Sequence, residues 1–117
     1  MGEAIFVYGT LLDPRVFARF AGRTPPLRAV PARLSGHRRV HLRGTPWPTL
    51  LPGQGEVAGL LMPRLAPDAM RRLRAYEGAC YRLSRVRVVT ARGARMARAW
   101  IAPRWLADPR RDWVAPR

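Results

Sequence analysis

Two short segments of the sequence carry residue types that could do chemistry together. The first is Tyr8-Gly9-Thr10-Leu11, which follows the apolar run Ile5-Phe6-Val7 and precedes Asp13-Pro14. A strand that stops at a glycine turn leaves successive backbone N–H groups free to meet an anionic group. The second is Glu77, within Ala75-Tyr76-Glu77-Gly78-Ala79-Cys80-Tyr81-Arg82. Only seven residues are acidic, and most have ordinary explanations. Asp13 suits a helix cap, and Asp68 the start of a second helix beside Pro67. Glu3 precedes the first strand, Glu56 suits a strand edge, and Asp108 and Asp112 fall near the C-terminal end. Glu77 lies between Tyr76 and Tyr81, beside a glycine that permits a sharp change of direction. A carboxylate desolvated by such neighbours rises from about 4.3 toward the range of a general base. Residue types alone leave a second reading open, an exposed glutamate at a helix C-terminus where the dipole slightly disfavours it.

Other chemistries find little support. The soft ligands are two histidines and one cysteine, in no zinc-like spacing. His37 and His41 would stand about 13 Å apart along a strand, too far to share an ion. Ser35 and Ser84 lie outside any Gly-x-Ser-x-Gly elbow, and Cys80 has no histidine nearby in sequence. Gly53-Gln54-Gly55 leads into a strand and carries no lysine, so it reads as a turn, not a phosphate loop. No metal or cofactor is expected.

A chain of 117 residues with 48% hydrophobic content is long enough for one modest core. A single domain over 1–117 is expected, with 103–117 as a short tail. Apolar runs are too short to span a bilayer, and neither a signal stretch nor a myristoylation pattern is evident near the start. One cysteine excludes an internal disulfide, so a cytoplasmic setting is expected. The formal charge of +15 invites a nucleic-acid reading. However, all 22 basic residues are arginine, asparagine is absent, and the arginines are spread along the whole chain. That pattern fits a GC-rich coding bias better than a built binding surface. Salt-sensitive, non-specific attraction to polyanions is expected, without a specific nucleic-acid or membrane partner.

The elements that must position these residues follow from pattern. Strand one covers about 4–8. Asp13 and Pro14 open a helix with Val16, Phe17 and Phe20 on its apolar face, and Gly22 closes it. Pro25-Pro26 and Pro31 imply an extended or irregular stretch. Alternation over 37–43 gives a strand with Val40 and Leu42 on one side and His37, Arg39, His41 and Arg43 on the wet side. Residues 45–55, with three prolines and two glycines, read as a structured loop. A strand over 56–63 and a helix over 68–76 follow, the latter with Leu65, Ala69, Met70 and Leu73 inward. A hairpin pairs 82–90 with 96–102 through Gly93. The sum is an α+β domain, a small mixed or antiparallel β-barrel with two or so short helices.

In order along the chain, these segments resemble the gamma-glutamylcyclotransferase-like family, also described as AIG2-like. The resemblance rests on Tyr8-Gly9-Thr10-Leu11, Trp47-Pro48-Thr49-Leu50, Pro52-Gly53-Gln54-Gly55 and the Val57-Ala58-Gly59 strand. It continues through Tyr76-Glu77-Gly78, Tyr81-Arg82 and Ala99-Trp100, covering roughly 4–102. The chain departs from the family at Leu73-Arg74, where Leu-Asp is common, and at Leu60-Leu61-Met62, where an acid or aromatic is common. The resemblance implies a pocket between Tyr8, Gly9, Thr10, Leu11 and Glu77, with Trp47, Pro48 and Tyr81 also binding substrate. It implies cyclisation of a gamma-glutamyl amine or amino acid to 5-oxoproline, with Glu77 as general base and acid and Tyr81 orienting it. The alternative is a non-catalytic module of the same fold that uses its arginine surface for an anionic partner. The leaving amine and the oligomeric state remain open at this point.

Overall fold

The computed structural model describes residues 4–22 and 28–114. Glu3, Pro25 and Pro26, and the features read from the first three residues, lie outside these. The elements run β1 (Ile5–Val7), a 3-10 turn (Thr10–Leu12), α1 (Pro14–Ala21), β2 (Val30–Leu42) and β3 (Pro48–Met62). Then come α2 (Pro67–Glu77), β4 (Arg82–Thr90), β5 (Gly93–Ile101), a second 3-10 turn (Arg104–Leu106) and β6 (Ala107–Asp112). The strand order is β3-β1-β5-β4-β2-β6, and β2 also pairs with β3. That extra pairing closes five strands into a barrel and leaves β6 as a flap on β2. All pairings are antiparallel except β1 with β5, where Ile5 lies opposite Arg98.

β1 is buried on both faces, which explains its unbroken apolar run. Phe6 and Tyr8 point into the barrel, packed with Leu34, Leu50, Val57, Leu61 and Val88. Ala32, Ala97 and Ala99 line the same interior, and their small volume leaves room for the two large rings. Ile5 and Val7 point outward into a second cluster with Phe17, Ala21, Met62, Leu65, Ala69, Leu73 and Trp100, through which the two helices cover the barrel. The helix starts follow local chemistry. The Asp13 carboxylate accepts from the Arg15 N–H at 2.9 Å, Pro14 takes the first turn, and Gly22 closes α1 at φ 78°. Gly59 lacks a side chain for a packing reason, since a Cβ there would run into the Val7 carbonyl and the Phe6 ring.

Two expectations fail. Residues 45–55 are mostly strand, because β3 pairs with β2 from Pro48 opposite His41 to Leu61 opposite Val30. Pro52, Gly53 and Gly55 are absorbed where the register shifts between Ser35 and His37, and Gly36 and Gly55 have positive φ there. Within the segment expected as a tail, residues 104–112 form the second 3-10 turn and β6. β6 pairs along β2, anchored by buried Ala107 and Trp113 at its ends, and the edge position tolerates Pro109. Arg38 ties the flap down, donating to the Pro109 carbonyl at 2.8 Å and to Asp112 at 2.9 Å. Among the described residues, no helix is long and apolar enough to cross a membrane.

Candidate active site

β1 ends beside the C-terminal end of α2, and a cavity of about 230 Å³ opens between them. Tyr8 continues the inward alternation of β1, and its hydroxyl donates to the Trp100 carbonyl. Burial pushes the Tyr8 phenol far above its ordinary range, and the nearby Tyr81 and Glu77 add to this. The chain then turns: the Gly9 carbonyl accepts from Leu12 N–H at 3.0 Å, and the Thr10 carbonyl from Asp13 N–H at 3.2 Å. The first N–H groups of such a turn have no partner within it. Gly9 is required sterically, since a Cβ there would stand 2.6 Å from Pro48 Cγ. The Thr10 hydroxyl shares a hydrogen bond with the Tyr76 hydroxyl at 2.8 Å, linking the turn to α2.

Glu77 is the last residue of α2, and Gly78 at φ 81° turns the chain away from the helix axis. The Glu77 side chain is half-buried and lines the cavity. No hydrogen bond or ion pair joins its carboxylate to another described residue. Burial pushes its pKa up to about 7. Tyr81 follows four residues later and donates its hydroxyl proton to the Pro48 carbonyl at 2.7 Å. Its single proton therefore braces the cavity mouth and does not orient Glu77 as expected. Burial, with the Glu77 charge next in size, pushes the Tyr81 phenol up. Trp47 stands at the mouth with 51% of its surface exposed.

All eight residues singled out from the sequence, Tyr8, Gly9, Thr10, Leu11, Trp47, Pro48, Glu77 and Tyr81, line this one cavity. Phe6, Val7, Tyr76 and Trp100 complete the lining and were not singled out as site residues. Tyr76 had a sequence signal, its place directly before Glu77. Trp100 had one only as part of the Ala99-Trp100 pair in the resemblance, with no site role attached, because it is barrel closure that brings it there from β5. Arg39 is another surprise: placed on a wet face by alternation, it turns in to donate to the Tyr8 carbonyl at 2.7 Å. No arginine of the described residues lines the cavity, whose one carboxylate is that of Glu77. His37 and His41 are absorbed locally, their Nδ1 atoms 3.0 Å from the Ser35 and Thr45 carbonyls.

A small mixed barrel thus carries at one end an aromatic cavity with a glycine turn on one wall and, on the other, a carboxyl whose pKa burial pushes up to about 7. The sequence matches the family described as "Gamma-glutamyl cyclotransferase, AIG2-like" over residues 5–115, and the chain belongs to that family. It is 36% identical over 86 residues to AIG2-like protein A of Arabidopsis thaliana, covering 73% of this chain and 51% of that protein. It is 34% identical over 86 residues to Protein AIG2 C of the same plant, with the same two coverages. The chain thus spans about half the length of the curated relatives it matches. A solution structure of an Arabidopsis thaliana protein, 30% identical, superposes with a TM-score of 0.77 over 93% of this chain and 73% of that one. A structure named gamma-glutamyl cyclotransferase gives a TM-score of 0.69 at 21% identity, over 92% of this chain and 69% of that one, a likeness of fold.

Proposed function

We propose that this chain is a gamma-glutamyl cyclotransferase that converts a gamma-glutamyl amine or amino acid into 5-oxoproline and the free amine. One observation carries the proposal: Glu77, with a pKa near 7, and the Gly9-Thr10-Leu11 turn line the same cavity. In this mechanism the turn N–H groups receive an anionic part of the substrate, its carboxylate or the oxyanion that develops during attack. The Glu77 carboxylate takes a proton from the substrate α-ammonium. The freed amine attacks its own γ-carbonyl carbon, forming the C–N bond of the five-membered ring. As the tetrahedral intermediate collapses, the original amide C–N bond breaks, the Glu77 carboxyl returns its proton to the departing nitrogen, and the ring nitrogen gives up its second proton to the Glu77 carboxylate, from which it passes to the free amine or to solvent, leaving a neutral lactam.

Holding the amine against the carbonyl supplies much of the rate, because aligned intramolecular reactions reach effective molarities of about 10⁵ M or more. The aromatic walls favour a folded substrate and limit water around it. A carboxyl near pKa 7 suits the task, being ionised to accept a proton at neutral pH yet acidic enough to return it. The test is a panel of gamma-glutamyl amides assayed for 5-oxoproline, with Glu77→Gln as control. Turnover that Glu77→Gln abolishes in a folded protein is the expected result. Undiminished turnover by that variant would overturn the role of Glu77.

A further inference from the structure

We propose that Arg39 is a positioning residue of this site, orienting and polarising the Tyr8–Gly9 peptide so that the Gly9 N–H is presented to the cavity. The inference rests on the cyclotransferase reading above. Arg39 does not line the cavity; it approaches from behind, from β2, and donates Nη1–H to the Tyr8 carbonyl at 2.7 Å. In a trans peptide the C=O and the following N–H point in opposite directions. A donor that fixes the Tyr8 carbonyl on one side therefore fixes the Gly9 N–H on the other, where Gly9 meets the cavity. The turn and loop hydrogen bonds among the described residues include none donated by Gly9. A cation on the carbonyl also draws electron density from the amide and strengthens its N–H as a donor.

Arg39 is itself held in place. Its Nε donates to the Trp113 carbonyl at 3.3 Å, and its guanidinium carbon lies 5.2 Å from the centre of the Trp113 ring. Trp113 N–H donates back to the Arg39 carbonyl at 3.0 Å, and its indole N–H donates to the Pro46 carbonyl at 2.7 Å. Pro46 directly precedes Trp47 and Pro48 of the cavity mouth. One residue at the end of the β6 flap thus braces both walls, the Tyr8 turn through Arg39 and the mouth through Pro46. A lysine in place of Arg39 keeps the charge and one donor but loses the planar fork that serves both carbonyls.

The test compares wild type, Arg39→Met and Arg39→Lys in three measurements: the amide resonance of Gly9 in the free protein, 5-oxoproline binding by calorimetry, and kcat/KM with thermal stability alongside. Arg39→Met should move the Gly9 resonance and weaken both product binding and kcat/KM by about tenfold. That is less than the 10²–10³-fold loss expected on removing a direct oxyanion donor. Arg39→Lys should recover the resonance and most of the affinity even where its melting temperature stays lowered. Three results overturn the assignment. One is a Gly9 resonance and product affinity unchanged in Arg39→Met; another is losses that follow melting temperature alone, with lysine no better than methionine. The third is a wild type that neither binds nor forms 5-oxoproline, which overturns the cyclotransferase reading and the Arg39 assignment together. The first two leave the cyclotransferase reading standing.

Discussion

Replacing Glu77 with glutamine should remove turnover and, above neutral pH, make the protein more stable. Burial holds the Glu77 carboxyl at a pKa of about 7 against an ordinary value of 4.5, so the native state disfavours its charged form. Below pH 4.5 the group is protonated in both native and unfolded chains and costs nothing. Between 4.5 and 7 the native protein holds a proton that the unfolded chain has released, so raising the pH draws the equilibrium toward unfolding. Above 7 both states are ionised and the full cost is present. At 1.36 kcal/mol per pH unit the gap corresponds to roughly 3 kcal/mol, which solvent reaching the half-buried carboxylate trims to about 2 kcal/mol. Glutamine mimics the neutral acid and should recover this, raising the melting temperature by on the order of 10 °C at pH 8 and hardly at all at pH 4.5. Circular dichroism melts of both proteins from pH 4.5 to 8.5 give the comparison. The wild-type rate should rise with pH through a midpoint near 7, as the base ionises. Parallel melting curves for the two proteins across the range would refute the claim that burial strains this carboxylate.

Two further substitutions probe the frame around the site. Gly9→Ala places a methyl group 2.6 Å from Pro48 Cγ, on a residue whose backbone carbonyl Tyr81 already holds. It should depress 5-oxoproline formation at least tenfold by pushing the turn from the mouth, and wild-type kcat/KM in this variant would show that the close packing is dispensable. Phe17→Ala empties a fully buried position between α1 and α2, and should cost about 3–5 kcal/mol in urea unfolding. A loss under 1 kcal/mol would mean that the helices repack freely over the barrel.

Much of the frame was legible because local rules and tertiary contacts agree there. The caps at Asp13 and Gly22, the helix ending beside Gly78 and the hairpin around Gly93 need no distant partner to form. The reading failed where a partner strand overruled local signals. Pro52, Gly53 and Gly55 punctuate like a loop, yet β2 runs beside them and a register shift absorbs the irregularity. The Pro109-Arg110-Arg111 stretch is polar enough for a tail, yet Trp113 and Ala107 bury at its ends. Arg39 was misread for the same reason: alternation assigns a face but does not say what lies above it.

The sequence by itself determined the ingredients of the site: a glycine turn after a buried strand, and one acid among aromatics at a helix end. Both follow from short-range chemistry, the turn from glycine and the helix end from Gly78. Only the tertiary structure decided that the two meet. Pairing of β1 with β3 and β5, and the buried cluster that Val7 of β1 and Leu73 of α2 share, bring Tyr8 and Glu77 to one cavity across 69 positions of chain. It also decided the raised pKa, since desolvation belongs to the surroundings of a carboxyl and not to its identity.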